Sequence, residues 1–436
     1  MPEAEFPDWH DPLWSRVPLP LEHKADALGL EIHMRTNAPE IAALFHAAFG
    51  AWIDGGDGSV GAEGDRRPPG AAERATDLVI EAAAELDGRG LWAAGDATAP
   101  LGGSSAGVRA GRAARDGARH DGAHREGDAP AATADGPRAR HHAPGRSFHR
   151  ERGPLYTAGD DRGSVVCADL AVGRAAAFIA HGCRADIARL VLIESPVWRL
   201  ATWRGMVALH AAALHIDGAG VVLRGAPGAG KSTLSAAALA AGHGVLADEV
   251  TWWDPAPASN GGARAPGPGP GLESGSRPRP ESGSPAAPNE ASLLRGLGRW
   301  IHVEPELAAR FPELVRTRED AAGEPRGKIA LAVPASQSVT RVSPGPLVLL
   351  ELDDIRPKRS SWQSLAPEAA SRRFEAMRIR GEGSQPPSSF AAARAALAAG
   401  GAYALRAGPP SAAIKALEEI VVDWRQRFRA MGADRA

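Results

Sequence analysis

The sequence predicts an α/β fold built around a phosphate-binding loop and interrupted by two low-complexity stretches. Three observations carry that prediction. Residues 221–242, VVLRGAPGAGKSTLSAAALAAG, place a short apolar strand, a glycine-rich loop and an Ala-rich helix in direct succession. Elsewhere, strand-like alternation takes turns with helix-like apolar spacing. Two segments, 98–153 and 255–290, are nearly devoid of large apolar residues and divide the chain into ordered blocks.

Composition bounds the rest. The chain has 436 residues, of which 44% are hydrophobic, enough for a sizeable core in two or three domains. Fifty Lys and Arg stand against 52 Asp and Glu, a formal net charge of -2. That balance excludes a generally basic nucleic-acid binder and a strongly acidic disordered chain. Cys167 and Cys183 are too few for a disulfide framework or a four-thiolate zinc site. No apolar run reaches the roughly 18 residues needed to span a bilayer, and no targeting segment is legible. The expectation is a cytoplasmic protein with neither membrane nor nucleic acid as partner.

The elements follow in order. Residues 1–97 read as an N-terminal α+β region: LGLEIHMRTN alternates like a strand, and PEIAALFHAAFGAWI has helical spacing. In the segment 98–153, Leu101, Val108 and Phe148 are the only large apolar residues, so it reads as a disordered insertion. Its five histidines, spaced irregularly among arginines, fit a solvated linker better than a metal tract. Residues 154–205 continue the N-terminal domain. SVVCADLAV reads as a strand, Arg174 to Ile179 as a helix, and ADIARLVLIESPVWRLATWRG as a second helix. Residues 206–430 form the third ordered block, expected to be a P-loop catalytic domain on the residues set out below, interrupted by a flexible loop over 255–290 whose one large apolar residue is Leu272. SAAIKALEEIVVDWRQRFRAM closes it as an amphipathic helix.

The chemistry concentrates at Gly225, Ala226, Pro227, Gly228, Ala229, Gly230, Lys231, Ser232 and Thr233. Glycines bring backbone N–H groups close around phosphate oxygens. Lys231 adds a positive charge for the β and γ phosphates, and the Ser232 hydroxyl is placed to ligate Mg²⁺. The dipole of the following helix favours an anion at its N-terminus. The expected ligands are therefore ATP and Mg²⁺. Asp248 and Glu249 lie seventeen and eighteen residues after Lys231, at the end of the apolar run Val245-Leu246-Ala247. One such carboxylate can hold Mg²⁺ while the other accepts a proton from an attacking hydroxyl. Adjacent residues after a strand point to opposite sides, so only one faces the acceptor.

Residues 206–254 resemble the catalytic domain of the HPr kinase/phosphorylase family. The matching features are His210, the loop Gly225–Ser232, Gly242-His243 and Ala247-Asp248-Glu249, with no gap between them. The resemblance implies a twisted mixed sheet related to the phosphoenolpyruvate carboxykinase fold. It implies that Glu249 is the proton acceptor, that Asp248 is left to hold Mg²⁺ either directly or through another ligand, and that His210 lies near the phosphates. Leu294-Arg295-Gly296-Leu297-Gly298 resembles the family's Arg-Gly-Leu-Gly signature, but Leu293 stands where the family has a Mg²⁺-binding Glu; Glu290 is nearby. Arg326 and Lys328 either supply charge to the phosphoryl group or form an exposed basic strand entry.

The function these readings imply is an ATP- and Mg²⁺-dependent serine kinase acting on a small protein or peptide, in a homo-oligomer as the family's assembly suggests. The alternatives are a P-loop ATPase, with PLVLLELDD (Pro346–Asp354) as its second acidic strand, and a non-catalytic nucleotide sensor.

Overall fold

The computed structural model describes residues 17–49, 77–84, 147–255, 292–315, 328–352, 357–379, 382 and 385–433. Arg326, Glu290, Asp353, Asp354, the histidines at 120, 124, 141 and 142, and nearly all of both low-complexity segments lie outside them.

The N-terminal block builds a seven-stranded sheet. Its strands are β1 (Leu21–Ala27), β2 (Leu30–Thr36), β3 (Leu78–Ala84), β4 (Ser147–Arg152), β5 (Leu155–Asp160), β6 (Val165–Asp169) and β7 (Arg174–Ile179), in the order β1-β2-β3-β7-β6-β5-β4. The β2–β3 and β3–β7 pairs are parallel and the others antiparallel. The alternation read at residues 28–37 is physical: every second residue of β2, from Leu30 through Ile32 and Met34 to Thr36, is buried. Those side chains meet helix α1 (Pro39–Phe49) and a longer helical stretch over residues 185–203.

That stretch changes pitch along its length. A first turn, α2 (Ala185–Ile187), gives way to a π-helical turn over Ala188–Glu194 and then to α3 (Ser195–Trp203). Pro196, at the start of α3, has no N–H to donate backwards, and the widened turn stands directly before it.

Two expectations fail here. Arg174–Ile179 is a strand, not a helix. The alanines of RAAAFI suggest helix by propensity, but β3 and β6 flank the segment on both sides and Ala175, Ala177 and Ile179 fill the core between them. Ser147–Arg152 falls within the segment expected to be disordered, yet it pairs with β5 along its length. All six of its side chains are exposed, so backbone hydrogen bonds rather than burial hold it, and a search for apolar residues could not find it.

The second half is layered. Its main sheet has the order β11-β9-β10-β17-β19-β18. Here β9 is Ala212–Ile216, β10 Ala219–Arg224, β11 Gly244–Ala247, β17 Pro344–Glu351, β18 Ser361–Leu365 and β19 Ala402–Arg406. The three central strands, β10, β17 and β19, are parallel. Both faces of this sheet are covered, which is why its strands read as continuous apolar runs. Val221 and Leu223 of β10 enter one core with helices α4 (Lys231–Ala240) and α8 (Pro410–Ala433). Val222 enters the opposite core with α6 (Pro367–Ala376) and α7 (Pro387–Ala399). A four-stranded antiparallel sheet lies on this second side, ordered β16-β13-β12-β8, with β8 Val207–His210, β12 Val250–Asp254, β13 Leu293–Arg295 and β16 Arg341–Val342. A hairpin-like pair, β14 (Trp300–Val303) and β15 (Ile329–Ala332), and the short helix α5 (Pro305–Ala308) complete it.

Candidate active site

The site gathers at the C-terminal end of β10. The strand ends at Arg224, residues 225–230 form the loop, and α4 begins at Lys231. Gly228 and Gly230 have φ of 83° and 93°, a region where a side chain is strained, so the loop needs glycine at both positions. Gly230 is also the residue before α4 and offers no side-chain cap, which leaves the first N–H groups of the helix for another acceptor.

Lys231 is buried rather than solvated, and its ammonium donates to the Gly225 carbonyl at 2.9 Å. Burial holds its pKa below the usual lysine value, and Asp248 partly offsets that. The ammonium thus folds back across the loop, where a phosphate oxygen would offer it a stronger, charged acceptor.

Asp248 and Glu249 follow β11 and differ sharply in exposure. Asp248 is buried, and burial pushes its carboxyl up to about 6. Its Oδ2 accepts from the His302 backbone N–H at 3.2 Å, while the hydroxyls of Ser235 and Ser232 favour its charged form. Its Oδ1 is buried with no hydrogen-bond donor on it. An orphaned carboxylate oxygen beside the Ser232 hydroxyl is a hard oxygen donor set, and it fits Mg²⁺. Among the described residues no cluster of three or more His, Cys, Asp and Glu side chains could hold a metal ion. Ser232 and Asp248 would therefore share such a cation with phosphate oxygens and water, the usual arrangement for Mg²⁺. Glu249 is exposed, and its charge acts on both Lys231 and His210.

His210, at the end of β8, is half-buried. Burial and then the Lys231 charge hold its pKa below the usual histidine value, with Glu249, Glu382 and Arg224 also in electrostatic reach. The fold thus brings His210, Lys231, Asp248 and Glu249 to one place, and Lys328 is close enough to act on Lys231. It does not bring His243 there. That side chain lies past the far end of α4 and pairs with Glu418 of α8 at 3.0 Å.

Sequence reading missed Arg224 and Glu382. Arg224 is fully buried directly before Gly225 and bonds both Glu382 oxygens. An arginine ending an otherwise apolar strand is a visible signal; its partner, 158 positions away, has none.

The Arg-Gly-Leu-Gly segment lies against β11. A Cβ on Gly296 would come within 2.2 Å of the Leu246 carbonyl oxygen, and one on Gly298 within 2.2 Å of that of Val245. Arg295 bonds Asp254 at 2.9 Å, and Leu293 is half-buried with no charge to offer a cation. Glu351, at the end of β17, is held by Arg373.

No family model matches the chain, and no curated protein sequence matches it. Among solved structures, the chain is similar to the HPr(Ser) kinase/phosphatase from Coxiella burnetii. The identity is 13%, the TM-score 0.26, and the match covers 52% of this chain and 96% of that one. The likeness is distant and says nothing about this chain's chemistry, which stands on its own residues. Among the described residues no helix is long and apolar enough to cross a membrane.

Proposed function

We propose that this protein is an ATP- and Mg²⁺-dependent kinase that transfers the γ-phosphoryl group to a serine hydroxyl of a small protein or peptide. The observation that carries this reading is the pair of adjacent carboxylates beside Lys231, one buried with an orphaned oxygen and one exposed. Bound Mg²⁺ would neutralise phosphate charge. The chain's own residues divide the remaining work. Ser232 and Asp248 hold the cation, Lys231 and the loop N–H groups position the phosphates, and Glu249 accepts the proton of the acceptor hydroxyl. His210, held neutral, faces the same phosphates as a hydrogen-bonding group. Phosphoryl transfer asks mainly for positioning and charge stabilisation, which this set supplies.

The ATPase alternative has less support, because Glu351, the described acid at the end of β17, is engaged by Arg373. The test is incubation with γ-labelled ATP, Mg²⁺ and the small proteins that co-purify with the chain. Label on a serine of one of them is expected. Release of free phosphate alone would make the protein an ATPase, and bound, unchanged ATP would make it a sensor. A homo-oligomer in the cytoplasm belongs to the same reading, and sedimentation checks the assembly.

A further inference from the structure

We infer that Arg224 and Glu382 are a positioning pair that holds His210 in place against the phosphate loop. The inference deepens the kinase reading by naming what sets the geometry of that site, and it depends on that reading only for what His210 faces during turnover.

The two residues are buried together. The Arg224 guanidinium donates to Glu382 Oε1 at 2.6 Å and to Oε2 at 2.8 Å, and its Nε donates to the Phe374 carbonyl at 3.3 Å. The Phe374 ring lies 3.9 Å from the guanidinium carbon. All three guanidinium nitrogens therefore donate a hydrogen bond. Glu382 has further work. Its Oε1 accepts the backbone N–H of His210 at 2.7 Å, and its Oε2 accepts that of Ile379 at 3.1 Å. Three residues on, Gln385 accepts the Ala208 N–H at 2.7 Å and donates to the Ala208 carbonyl at 2.6 Å. β8 is the outermost strand of its sheet. Two side chains thus close the strand edge that carries His210, in place of a neighbouring strand.

The consequence is mechanical. Arg224 is covalently joined to Gly225, whose carbonyl holds Lys231. Glu382 ties that strand end to the residue bearing the imidazole, although β8 and β10 belong to different sheets. A buried ion pair is a poor way to gain stability, because desolvation offsets the attraction. An apolar pair would fill the same space, but it could not accept the His210 N–H.

The test reads His210 and Lys231 without nucleotide. The ring's NMR titration midpoint is measured in the parent and in Lys231→Met, each with and without the paired replacement Arg224→Met/Glu382→Leu. Lys231→Met should raise the midpoint in the parent background. In the apolar-pair background, at least half of that rise should vanish while the protein stays folded by circular dichroism. An undiminished rise there would overturn the inference. A second pair, Arg224→Met/Glu382→Gln, removes the charges but keeps an acceptor for the His210 N–H. It should retain most of the coupling, and loss of the coupling in this variant would equally overturn the inference, even if the leucine pair fails to fold. Calorimetry with Mg·ADP on the parent stands apart: no binding there would sink the kinase reading and leave the His210–Lys231 result intact.

Discussion

At the scale of single residues, the site depends on one carboxylate, Asp248, and one ammonium, Lys231, that the fold withdraws from water, and on a second carboxylate, Glu249, that it leaves exposed. Lys231→Ala should remove charge-assisted phosphate contacts worth roughly 1.5–3 kcal/mol, so calorimetry should register Mg·ATP binding at least tenfold weaker, with helix α4 intact because Ala is a better helix former than Lys. Glu249→Gln should leave Mg·ATP affinity unchanged and cut phosphoryl transfer by about 10²–10⁴; parental transfer rates would reverse the assigned roles. Asp248 makes a pH prediction. Its carboxyl sits at about 6 in the folded protein against 3.8 for the ordinary group. It binds its proton more tightly folded than unfolded, so its contribution is full below about pH 4 and is lost as the pH rises to about 6. Asp248→Asn should escape that loss and gain up to about 3 kcal/mol over the parent at pH 8, but nothing at pH 3.5. Denaturant midpoints without Mg²⁺ check it, and adding Mg²⁺ at pH 8 should close the gap from the parent's side. The loop residues and the acidic pair were legible in the sequence because their spacing is local. Glu382 was not, since its partners, Arg224 and His210, lie 158 and 172 positions away.

At the scale of elements, legibility followed the same rule. β10 and α4 were readable because each carries its own pattern: an apolar run, then a loop in which Gly228 and Gly230 take positive φ, then alanines. β7 was not, because its alanines favour helix and only its neighbours in the sheet override them. The pitch change at Ala188–Glu194 escaped notice because apolar spacing tracks burial rather than the hydrogen-bond step. One element open to disruption is β11, with Arg-Gly-Leu-Gly pressed on its carbonyls. Gly298→Ala would force its Cβ onto backbone that cannot turn aside. The expected cost is about 1–3 kcal/mol, as for other overpacked sites. Because β11 leads directly into Asp248, Mg·ADP affinity should fall together with the denaturant midpoint. A substitution that leaves both unchanged would show that β11 gives way easily.

At the scale of the molecule, three apolar cores hold the described residues together, and the Arg-Gly-Leu-Gly region ties the first of them to the site. Leu297 packs against the N-terminal core. The Arg295 guanidinium fills the space beside Gly29, between β1 and β2. Arg299 donates to the carbonyls of His46 and Ala47 at the end of α1, at 3.1 and 3.0 Å. Three residues later, the His302 N–H holds Asp248. A short stretch of backbone thus runs from the N-terminal sheet to the buried carboxylate. Arg299→Ala should uncap α1 and cost about 0.5–1.5 kcal/mol. Hydrogen exchange should then speed up in the last turn of α1, with the α4 amides unchanged. Faster exchange spread evenly over both halves would instead mean that Arg299 supports the whole fold.

The reach of that arginine also sets an order of events during synthesis. Arg299 and His46 are 253 positions apart, so at 5–20 residues per second a ribosome needs roughly 10–50 s between them. Every strand of the seven-stranded sheet lies between residues 21 and 179 and has left the exit tunnel well before Arg299 is added. All of those strands are therefore available to pair while the end of α1 is still bare, and the clasp that joins them to the second half of the chain arrives late in translation.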